Sequence, residues 1–389
     1  MSYFHWIAGS ILAVVWLSRV LDAALGLPKV ADISRPAWNP EPDAPEPRVS
    51  IIVPARNEEE HIEPTLLRLL ALDYKDYEVI AVNDRSTDRT AAAMDRVAGT
   101  ARAQGRLSVI HVESLPAGWM GKPHAMWTAA YQASGEWLLF TDADVLFKPD
   151  SLRRAVNYAE SERVDHLVLF PRLIMHSLGE RIMVAFFQTL FVFGHRPWKV
   201  ADPRTKDHMG VGAFNLIRRR VYQAIGTYQA LRFEVLDDMK LGKLVKNAGY
   251  KQRVVFGHDL ISLRWVKGAV GMVRNLTKNM FAVVSFQWWR MLASVFTLVF
   301  LNLLPYLGIW FAHGWARVPC AVALASMAGL YVGMSRRSAV PAYYFFLHPV
   351  SAAMFAYTLL RSMVLTLRQR GIFWRGTFYP LDELRKGMV

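Results

Sequence analysis

The stretch VSIIVPARNEEE, residues 49–60, combines an apolar run, a proline and a polar loop. Apolar residues at helical spacing follow it at 61–72. The same order recurs at 77–98, where YEVIAVNDRSTDRTAAAMDRVA leads from a β-branched run through a polar loop into a second helical pattern. Further apolar runs follow at 107–112 and 136–145. Strands that alternate with helices in this way predict an α/β domain with a mostly parallel sheet.

Acidic side chains close two of these runs. Asp84 ends the second, and Asp142 and Asp144 end LLFTDADV, residues 138–145. Ligands of such sheets bind at the carboxyl ends of the strands. Residues i and i+2 of an extended segment project to the same side, so these last two carboxylates converge on one point. Such oxygen ligands suit Mg²⁺ or Mn²⁺, with a solvated loop as the alternative interpretation.

Lys122 lies in a Gly- and Pro-rich loop, LPAGWMGKPHA, directly before a helical pattern. A lysine and backbone N–H groups can bind phosphate oxygens in this position, although an ordinary solvated lysine fits the same local sequence. No G-x-G-x-x-G follows the first strand and no G-x-x-x-x-G-K-[ST] is present, so dinucleotide-binding and P-loop ATPase functions lose their main support. The single cysteine, Cys320, excludes a disulfide or a cysteine metal site within one chain.

Hydrophobic residues make up 53% of the chain, which predicts membrane segments. Residues 1–27 lack a preceding basic region, so we expect an uncleaved anchor, with a cleaved signal peptide as the alternative. Arg19 and Lys29 follow its apolar core, which places the N-terminus outside and the next domain in the cytoplasm. Three more runs approach the ~20 residues of a span, at 292–312, 318–334 and 340–365. Three full spans would leave the basic C-terminal tail outside, so either one run is re-entrant or the tail breaks the charge rule.

These patterns predict six segments. They are an N-terminal transmembrane anchor (1–27), a Pro-rich extended linker (28–47), the α/β domain (48–262), an interfacial amphipathic region (263–291), two to three membrane segments (292–366) and a basic tail (367–389). The aromatic stretch 184–198 fits a core helix, and it also fits a helix that dips into the headgroups, which we favour. The formal charge of +14 is explained by anionic lipid headgroups and a polyanionic small substrate, so we expect no nucleic-acid partner.

Six motifs, in this order, resemble those of family 2 glycosyltransferases of the GT-A fold. They are VSIIVPARNEE, VNDRSTDRT, GWMGKPHA, TDAD, GAFNLIRRRVYQAIG and VLDDMKLGKLVKNAGY. The resemblance covers about residues 49–280, and an ordered set is far more specific than any one motif. The flanking membrane segments, GWMGKPHA and LTKNMF are similar to the subgroup that glycosylates ceramides, carotenoids and hopanoids.

The resemblance implies inverting transfer from a nucleotide-diphosphate sugar, a UDP-sugar being expected, to a hydroxyl of a membrane lipid at the cytoplasmic face of the inner membrane. Asp238 is then the general base, and Asp142 and Asp144 hold Mg²⁺ or Mn²⁺, with Asp144 the expected direct ligand. Asp237, Arg264 and Trp265 are acceptor-side candidates. The donor-binding residues are Pro54, Arg56, Asn57, Glu58, Asp84, Lys122, Asp142 and Asp144.

The chemistry accounts for these residue types. Cleavage of the sugar–phosphate bond builds negative charge on the diphosphate, which a divalent ion and Lys122 stabilise, and the acceptor hydroxyl needs a carboxylate base. Asp238 begins a helical pattern, whose dipole lowers its pKa while adjacent Asp237 raises it, and the sequence does not decide between them. Two acids at this position are also typical of a plain helix cap.

Two departures from the family pattern bear on function. Asn83 stands where many members have an acidic residue, which affects the expected base and ribose contacts. The Gln-x-x-Arg-Trp motif of processive polysaccharide synthases is absent, and LRWVKG occupies that region. A polysaccharide or oligosaccharide synthase remains an alternative function, and so does a non-catalytic membrane-bound sugar-nucleotide sensor. No obligate protein partner is inferred.

Overall fold

The computed structural model of the chain describes residues 2–40, 45–338 and 340–388. Part of the predicted linker, 41–44, and the outermost residues of the predicted anchor and tail lie outside the described residues. Packing divides the chain into two units. The helical unit contains the residues up to Lys29, Met175–Arg196 and Trp265–Ile372, and the sheet unit contains Val30–Ile174, Pro197–Arg264 and the residues from Phe373 onward.

The elements alternate through the first two thirds of the chain and are almost all helical afterwards. The strands are β1 (Val49–Ala55), β2 (Tyr77–Asp84), β3 (Leu107–Val112), β4 (Trp137–Phe140), β5 (Leu146–Phe147), β6 (His166–Phe170), β7 (Arg172–Leu173), β8 (Asn215–Arg218), β9 (Gln252–Phe256), β10 (Ile261–Leu263), β11 (Gly371–Trp374) and β12 (Thr377–Pro380). The α-helices are α1 (Ser2–Gly26), α2 (Ile62–Leu69), α3 (Thr90–Ala98), α4 (Gly121–Gln132), α5 (Ser151–Ser161), α6 (Leu178–Gly194), α7 (Arg219–Ala224), α8 (Asp237–Asn247), α9 (Gly268–Val283), α10 (Trp288–Asn302), α11 (Leu304–Phe311), α12 (Val318–Ser335), α13 (His348–Gln369) and α14 (Leu381–Lys386).

The sheet unit is built on a seven-stranded sheet with the strand order β3-β2-β1-β4-β8-β6-β9. β1 pairs in parallel with β2 and β4, and β2 pairs in parallel with β3. β8 runs antiparallel to both β4 and β6, while β6 and β9 are parallel. The expected α/β class with a large, mostly parallel sheet is confirmed.

Burial explains why the first apolar run forms the centre of this sheet. Every residue of Val49–Ala55 is buried, as expected for a parallel strand that is covered on both faces. α4 shares a core cluster with this strand, in which Ala125, Met126 and Ala129 accompany Ile52. α4 therefore begins at the same edge of the sheet at which β1 and β2 end.

Residues 30–40 of the predicted linker pack on the sheet unit. Ile33 is fully buried, and its N–H donates to the carbonyl of Phe256 at 2.8 Å. The Nη1 of Arg154 donates to the carbonyl oxygens of three consecutive residues that begin with Ile33. These residues are therefore not the extended linker that the prolines predicted, because both their apolar side chains and their backbone groups find partners on the domain.

The two units also differ from the predicted segments elsewhere. Residues 175–196 fall inside the predicted domain 48–262, yet α6 packs with α9 and α13 in the helical unit. The tail from Phe373 onward, predicted to follow the membrane segments as a separate basic segment, packs within the sheet unit. The placement of these two segments could not be predicted from local sequence, because it depends on contacts between residues that are distant in the chain.

Three helical segments of the described ranges are long and apolar enough to cross a membrane. They are His5–Lys29, Gly314–Ser335 and Ala342–Gln369. The predicted run 292–312 is instead divided between α10 and α11, because Pro305 stands in the first turn of α11 and cannot continue the helix before it. α9 and α10 form a pair bent by 118°, which corresponds to a broken span or a re-entrant loop.

Candidate active site

The loops that follow β1 and β2 are joined by side chain to backbone hydrogen bonds. Asn57 adopts a left-handed conformation with φ of 55°, which asparagine tolerates better than most residues. Its side-chain oxygen accepts from the N–H of Thr87 at 2.8 Å, and its own N–H donates to Ser86 at 3.0 Å. The N–H of Glu58 donates to the hydroxyl of Thr90 at 2.8 Å. Two of the predicted donor-binding residues are thus fixed to the loop after β2 and to the first residue of α3.

Asp84 ends β2 as a buried carboxylate between two arginines. Arg85 donates to both of its oxygens, from Nε at 2.7 Å and from Nη2 at 3.1 Å, and Nη1 of Arg56 lies 3.8 Å away. Gly121, the first residue of α4, is so close that a Cβ there would collide with both Asp84 and Arg85. The β1 loop, the β2 end and the start of α4 therefore meet at one carboxylate.

Lys122 binds the carboxylate that follows β4. Its Nζ donates to Oδ1 of Asp142 at 2.6 Å and lies 4.0 Å from Oδ2 of Asp237. Burial alone would lower the pKa of Lys122, but the carboxylates of Asp142, Asp237 and Asp238 raise it above its usual value. The lysine is therefore a permanent cation within an acidic cluster.

The segment around Gly212 connects Asp142 with Asp238. The Gly212 N–H donates to Oδ2 of Asp238 at 2.8 Å, and the Gly212 carbonyl accepts from the Asp142 N–H at 3.0 Å. The other oxygen of Asp238 accepts from the Met239 N–H at 2.7 Å in the first turn of α8. Asp238 therefore satisfies one N–H of the first turn of its helix and also belongs to the acidic cluster.

Burial raises the pKa of three acids in this region, Asp144, Asp237 and Asp238. Asp237 rises to about 7 against the lowering effect of Lys122, and the pKa of Asp238 is also raised. Asp144 rises to about 7, first through burial and then through the neighbouring charges of Asp142 and Glu58. For Asp238, burial outweighs both the attraction of Lys122 and its backbone hydrogen bonds, so the direction is set by burial, which the comparison of helix dipole and Asp237 did not consider.

The acceptor-side candidates are divided between the units. Arg264 belongs to the sheet unit and follows the last residue of β10, Leu263, whose carbonyl accepts from the Ile174 N–H at 2.8 Å. Trp265 belongs to the helical unit, where its ring centroid lies 4.6 Å from that of Phe187 in α6.

Pro54 and Asn83 lie beside the predicted donor site. Pro54 occupies the buried strand β1, paired with Val82 of β2, so it shapes the strand end. Asn83 holds the β2 loop, with its side-chain oxygen accepting from the Ser86 N–H at 3.2 Å and its amide 3.2 Å from Nδ1 of His111. Asn83 therefore stabilises the loop after β2 through hydrogen bonds that a neutral amide can make.

Sequence reasoning missed three residues of this region. Gly212 holds two acids, Arg375 binds the β1 loop through Glu58 at 2.7 Å, and the Tyr379 hydroxyl accepts from the Gly121 N–H at 3.1 Å. The only signal for Gly212 was its place at the start of a quoted motif. Nothing local marks the other two, which lie more than 250 residues from their partners.

Comparisons with known proteins agree with this geometry. The family model for glycosyl transferase family 2 matches residues 50–226. The 4,4'-diaponeurosporenoate glycosyltransferase of Staphylococcus aureus strain MRSA252 is 23% identical over 342 residues, which cover 86% of this chain and 89% of the relative. The structure of mannosyltransferase PcManGT from Pyrobaculum calidifontis in complex with GDP-Man and Mn²⁺ aligns with a TM-score of 0.55 at 22% identity, over 94% of this chain and 99% of that one.

The structural likeness shows that the two chains share a fold, and the family match spans the strands and loops that carry Asp84, Lys122 and Asp142. Residues 50–226 therefore form a glycosyl transferase family 2 domain, and the chain shares the fold of the mannosyltransferase.

Proposed function

We propose that the protein transfers a sugar, with inversion, from a nucleotide-diphosphate sugar to a hydroxyl of a membrane lipid. The observation that carries the proposal is the cluster of Lys122, Asp142, Asp237 and Asp238, which stands beside a strand end that is rich in arginine. A cation for a leaving diphosphate and a buried carboxylate for an acceptor hydroxyl are the two groups that this chemistry needs.

Asp84 and the loops around it form the donor side of the proposed site. Asp84 binds the nucleoside, while Arg56 and the loop with Asn57 and Glu58 border the pocket. Lys122 binds the diphosphate when the donor binds, because Asp142, its present partner, would then ligate the divalent cation. A UDP-sugar is the expected donor.

Asp142 and Asp144 are the proposed ligands of a divalent cation. The raised pKa of Asp144, caused by burial and by the charges of Asp142 and Glu58, indicates an excess of negative charge that a cation would relieve. Within the described residues no group of three or more His, Cys, Asp or Glu side chains could hold a metal by itself, so donor phosphates complete the site. When bound, Mg²⁺ or Mn²⁺ supplies positive charge for the leaving diphosphate.

Asp238 is the proposed general base. Its raised pKa makes it a better proton acceptor than an exposed aspartate, and the Gly212 N–H fixes its orientation. It takes the proton of the acceptor hydroxyl as that oxygen attacks the anomeric carbon from the face opposite the diphosphate. Asp237 accepts from the Tyr228 hydroxyl at 3.5 Å and lies 4.0 Å from Nζ of Lys122, so it helps to hold that lysine.

The acceptor assignment rests on the helical unit and on the relatives. The three apolar helical segments suggest membrane association, and the related Staphylococcus aureus enzyme is named for a carotenoid acid acceptor. We assign the protein to the inner membrane as a multi-pass protein. Its catalytic domain faces the cytoplasm, because sugar nucleotides are made there. Asp237, Arg264 and Trp265 remain the acceptor-side candidates. Basic residues near the apolar helices contact anionic headgroups.

A transfer assay tests this function. The purified chain in detergent is given total membrane lipid and a panel of UDP- and GDP-sugars, with Mn²⁺ or with EDTA. We expect metal-dependent glycolipid formation from one donor, and a loss of about 1,000-fold or more for Asp238→Asn, which removes the base. The matched control is Asp382→Asn, an exposed aspartate in α14, which should behave as wild type.

Other outcomes would favour the rival functions. Chain elongation without a lipid-linked product would support a polymer synthase. Donor binding without transfer to any lipid or sugar would support a sugar-nucleotide sensor, because a sensor needs no base.

A further inference from the structure

The C-terminal hairpin of β11 and β12 belongs to the sheet unit from Phe373 onward, although it follows the apolar helices in sequence. β11 and β12 are joined by Arg375 and Gly376, both with positive φ, of 47° and 78°. Such a tight turn points the Arg375 side chain and the Gly376 backbone toward the β1 loop. A Cβ at Gly376 would lie 3.7 Å from Nη2 of Arg56.

Two side chains of this hairpin bind the loops of the donor side. Arg375 donates from Nη1 to the Arg56 carbonyl and from Nη2 to Oε1 of Glu58, both at 2.7 Å. Tyr379 is 5% exposed, and its hydroxyl accepts from the Gly121 N–H. That N–H is one of the unpaired donors at the start of α4, so the tyrosine satisfies a group that would otherwise need water or a ligand.

The rest of the tail is anchored by apolar packing. Leu384 of α14 is fully buried and Leu381 is 8% exposed. Gly387 lies so close to Phe233 that a Cβ there would collide with the phenylalanine ring. The tail is therefore a packed part of the sheet unit, and the hairpin does not depend on the two hydrogen-bonding residues for its attachment.

We propose that the C-terminal hairpin is part of the donor site, with Arg375 and Tyr379 as positioning residues for nucleotide-diphosphate binding. The β1 loop and the start of α4 come from segments about 65 residues apart, and the hairpin is bonded to both. Arg375 holds the backbone of Arg56 and the carboxylate of Glu58, and Tyr379 holds the helix end that carries Lys122. This inference rests on the proposed function, and it assigns a role to a tail that the family match, which ends at 226, does not cover.

The test uses the full chain in detergent and separates binding from chemistry. UDP and GDP binding is measured by calorimetry, and donor KM and kcat are measured with the donor found active. We expect Arg375→Ala to weaken nucleotide binding and raise donor KM about tenfold, with kcat within about twofold, because a charge-assisted hydrogen-bond pair is lost while the acids stay in place. Arg375→Lys should recover part of the loss, and Tyr379→Phe should raise KM about threefold.

One control variant and one independent measurement accompany these kinetics. Lys386→Ala removes a positive charge from the exposed face of α14 and should leave KM unchanged. Trypsin cleavage after Arg375 in wild type should slow when saturating UDP or GDP is added, whichever the enzyme binds, because bound nucleotide stabilises the loops to which Arg375 is hydrogen-bonded.

Failures of the two proposals are distinguishable. If wild type binds neither nucleotide, the proposed function fails. If wild type binds a nucleotide and KM is unchanged in Arg375→Ala and Tyr379→Phe, the inference about the hairpin is wrong. A lower KM or a higher kcat in these variants would also overturn it, because the hairpin would then obstruct the donor site.

Discussion

Gly212 shows how a single missing side chain shapes the proposed active site. A Cβ at this position would collide with the carboxylate of Asp142, and both backbone groups of the glycine are already bonded to Asp142 and Asp238. A larger side chain at this position, or a shift of its backbone, would therefore displace one of the two acids. Glycine permits this close approach of the backbone to a carboxylate.

We predict that Gly212→Ala lowers kcat/KM for transfer about 100-fold, because a displacement of catalytic groups by about 1 Å has effects of this size. Steady-state kinetics with saturating lipid measure it. The control is Gly194→Ala in α6, where a Cβ would meet no atom within 4 Å. Equal rates for Gly212→Ala and wild type would show that the link between the two acids has no catalytic importance.

The sequence predicted where the acids of the site lie, but it did not predict their ion pairs or their pKa values. Asp84 and Asp142 lie at the carboxyl ends of β2 and β4, as the apolar runs before them predicted. The pairing of Lys122 with Asp142 could not be predicted, because it depends on how α4 packs against the sheet. The same holds for the pKa of Asp238, which burial decides.

At the scale of elements, a buried polar triad joins three strands and supports the segment with Gly212. Nε2 of His166 lies 3.2 Å from Oδ1 of Asn215, and its Nδ1 lies 2.6 Å from Nε2 of Gln252. Gln252 in turn accepts from the Met209 N–H at 3.0 Å. The neutral imidazole satisfies both neighbours, donating to Asn215 and accepting from Gln252.

This triad predicts acid sensitivity of the fold. Burial lowers the pKa of His166 to about 4 from 6.5, so the unfolded chain binds a proton between these values and the folded chain does not. The free energy of unfolding is therefore not reduced by this group above pH ~6.5. It falls as the pH decreases toward ~4, by about 3 kcal/mol in all.

Thermal unfolding followed by tryptophan fluorescence between pH 7.5 and 4.5 tests this expectation. His166→Gln should reduce the fall in Tm across this range relative to wild type, whereas His313→Gln, at an exposed position, should not. An unchanged pH dependence in His166→Gln would assign the acid sensitivity to other groups.

The elements themselves could be predicted where the apolar pattern was long and local. The strands β1 to β4 and the helices α2 to α4 follow the sequence runs closely. The docking of residues 30–40 and the break at Pro305 were not predicted, because prolines and apolar residues were interpreted through composition alone. In both cases a specific contact or a missing N–H decides the outcome.

At the scale of the whole molecule, the place of the tail limits the number of membrane crossings. Phe373 and the residues after it pack in the same unit as Asp84, Lys122 and Asp238, so they lie on the same side of a membrane as these residues. In the proposed multi-pass protein, the chain between Arg264 and Phe373 then crosses the membrane an even number of times. Two helical segments, Gly314–Ser335 and Ala342–Gln369, satisfy this condition, and the bent pair of α9 and α10 is then re-entrant. With the proposed cytoplasmic orientation of the sheet unit, the basic tail then satisfies the positive-inside rule.

We predict that position 386 shares the side of position 113, while position 2 lies on the other side because α1 crosses once. Single cysteines at Ser2, Glu113 and Lys386, in a Cys320→Ala background, report this when intact cells are treated with a membrane-impermeant maleimide. Ser2→Cys should be labelled from outside, whereas the other two should react only after the membrane is permeabilised. Labelling of Lys386→Cys in intact cells would mean an odd number of crossings after the catalytic domain, and it would contradict the packing of Arg375 and Tyr379 against the donor loops. The topology experiment therefore tests the proposed donor-site role of the hairpin without measuring activity.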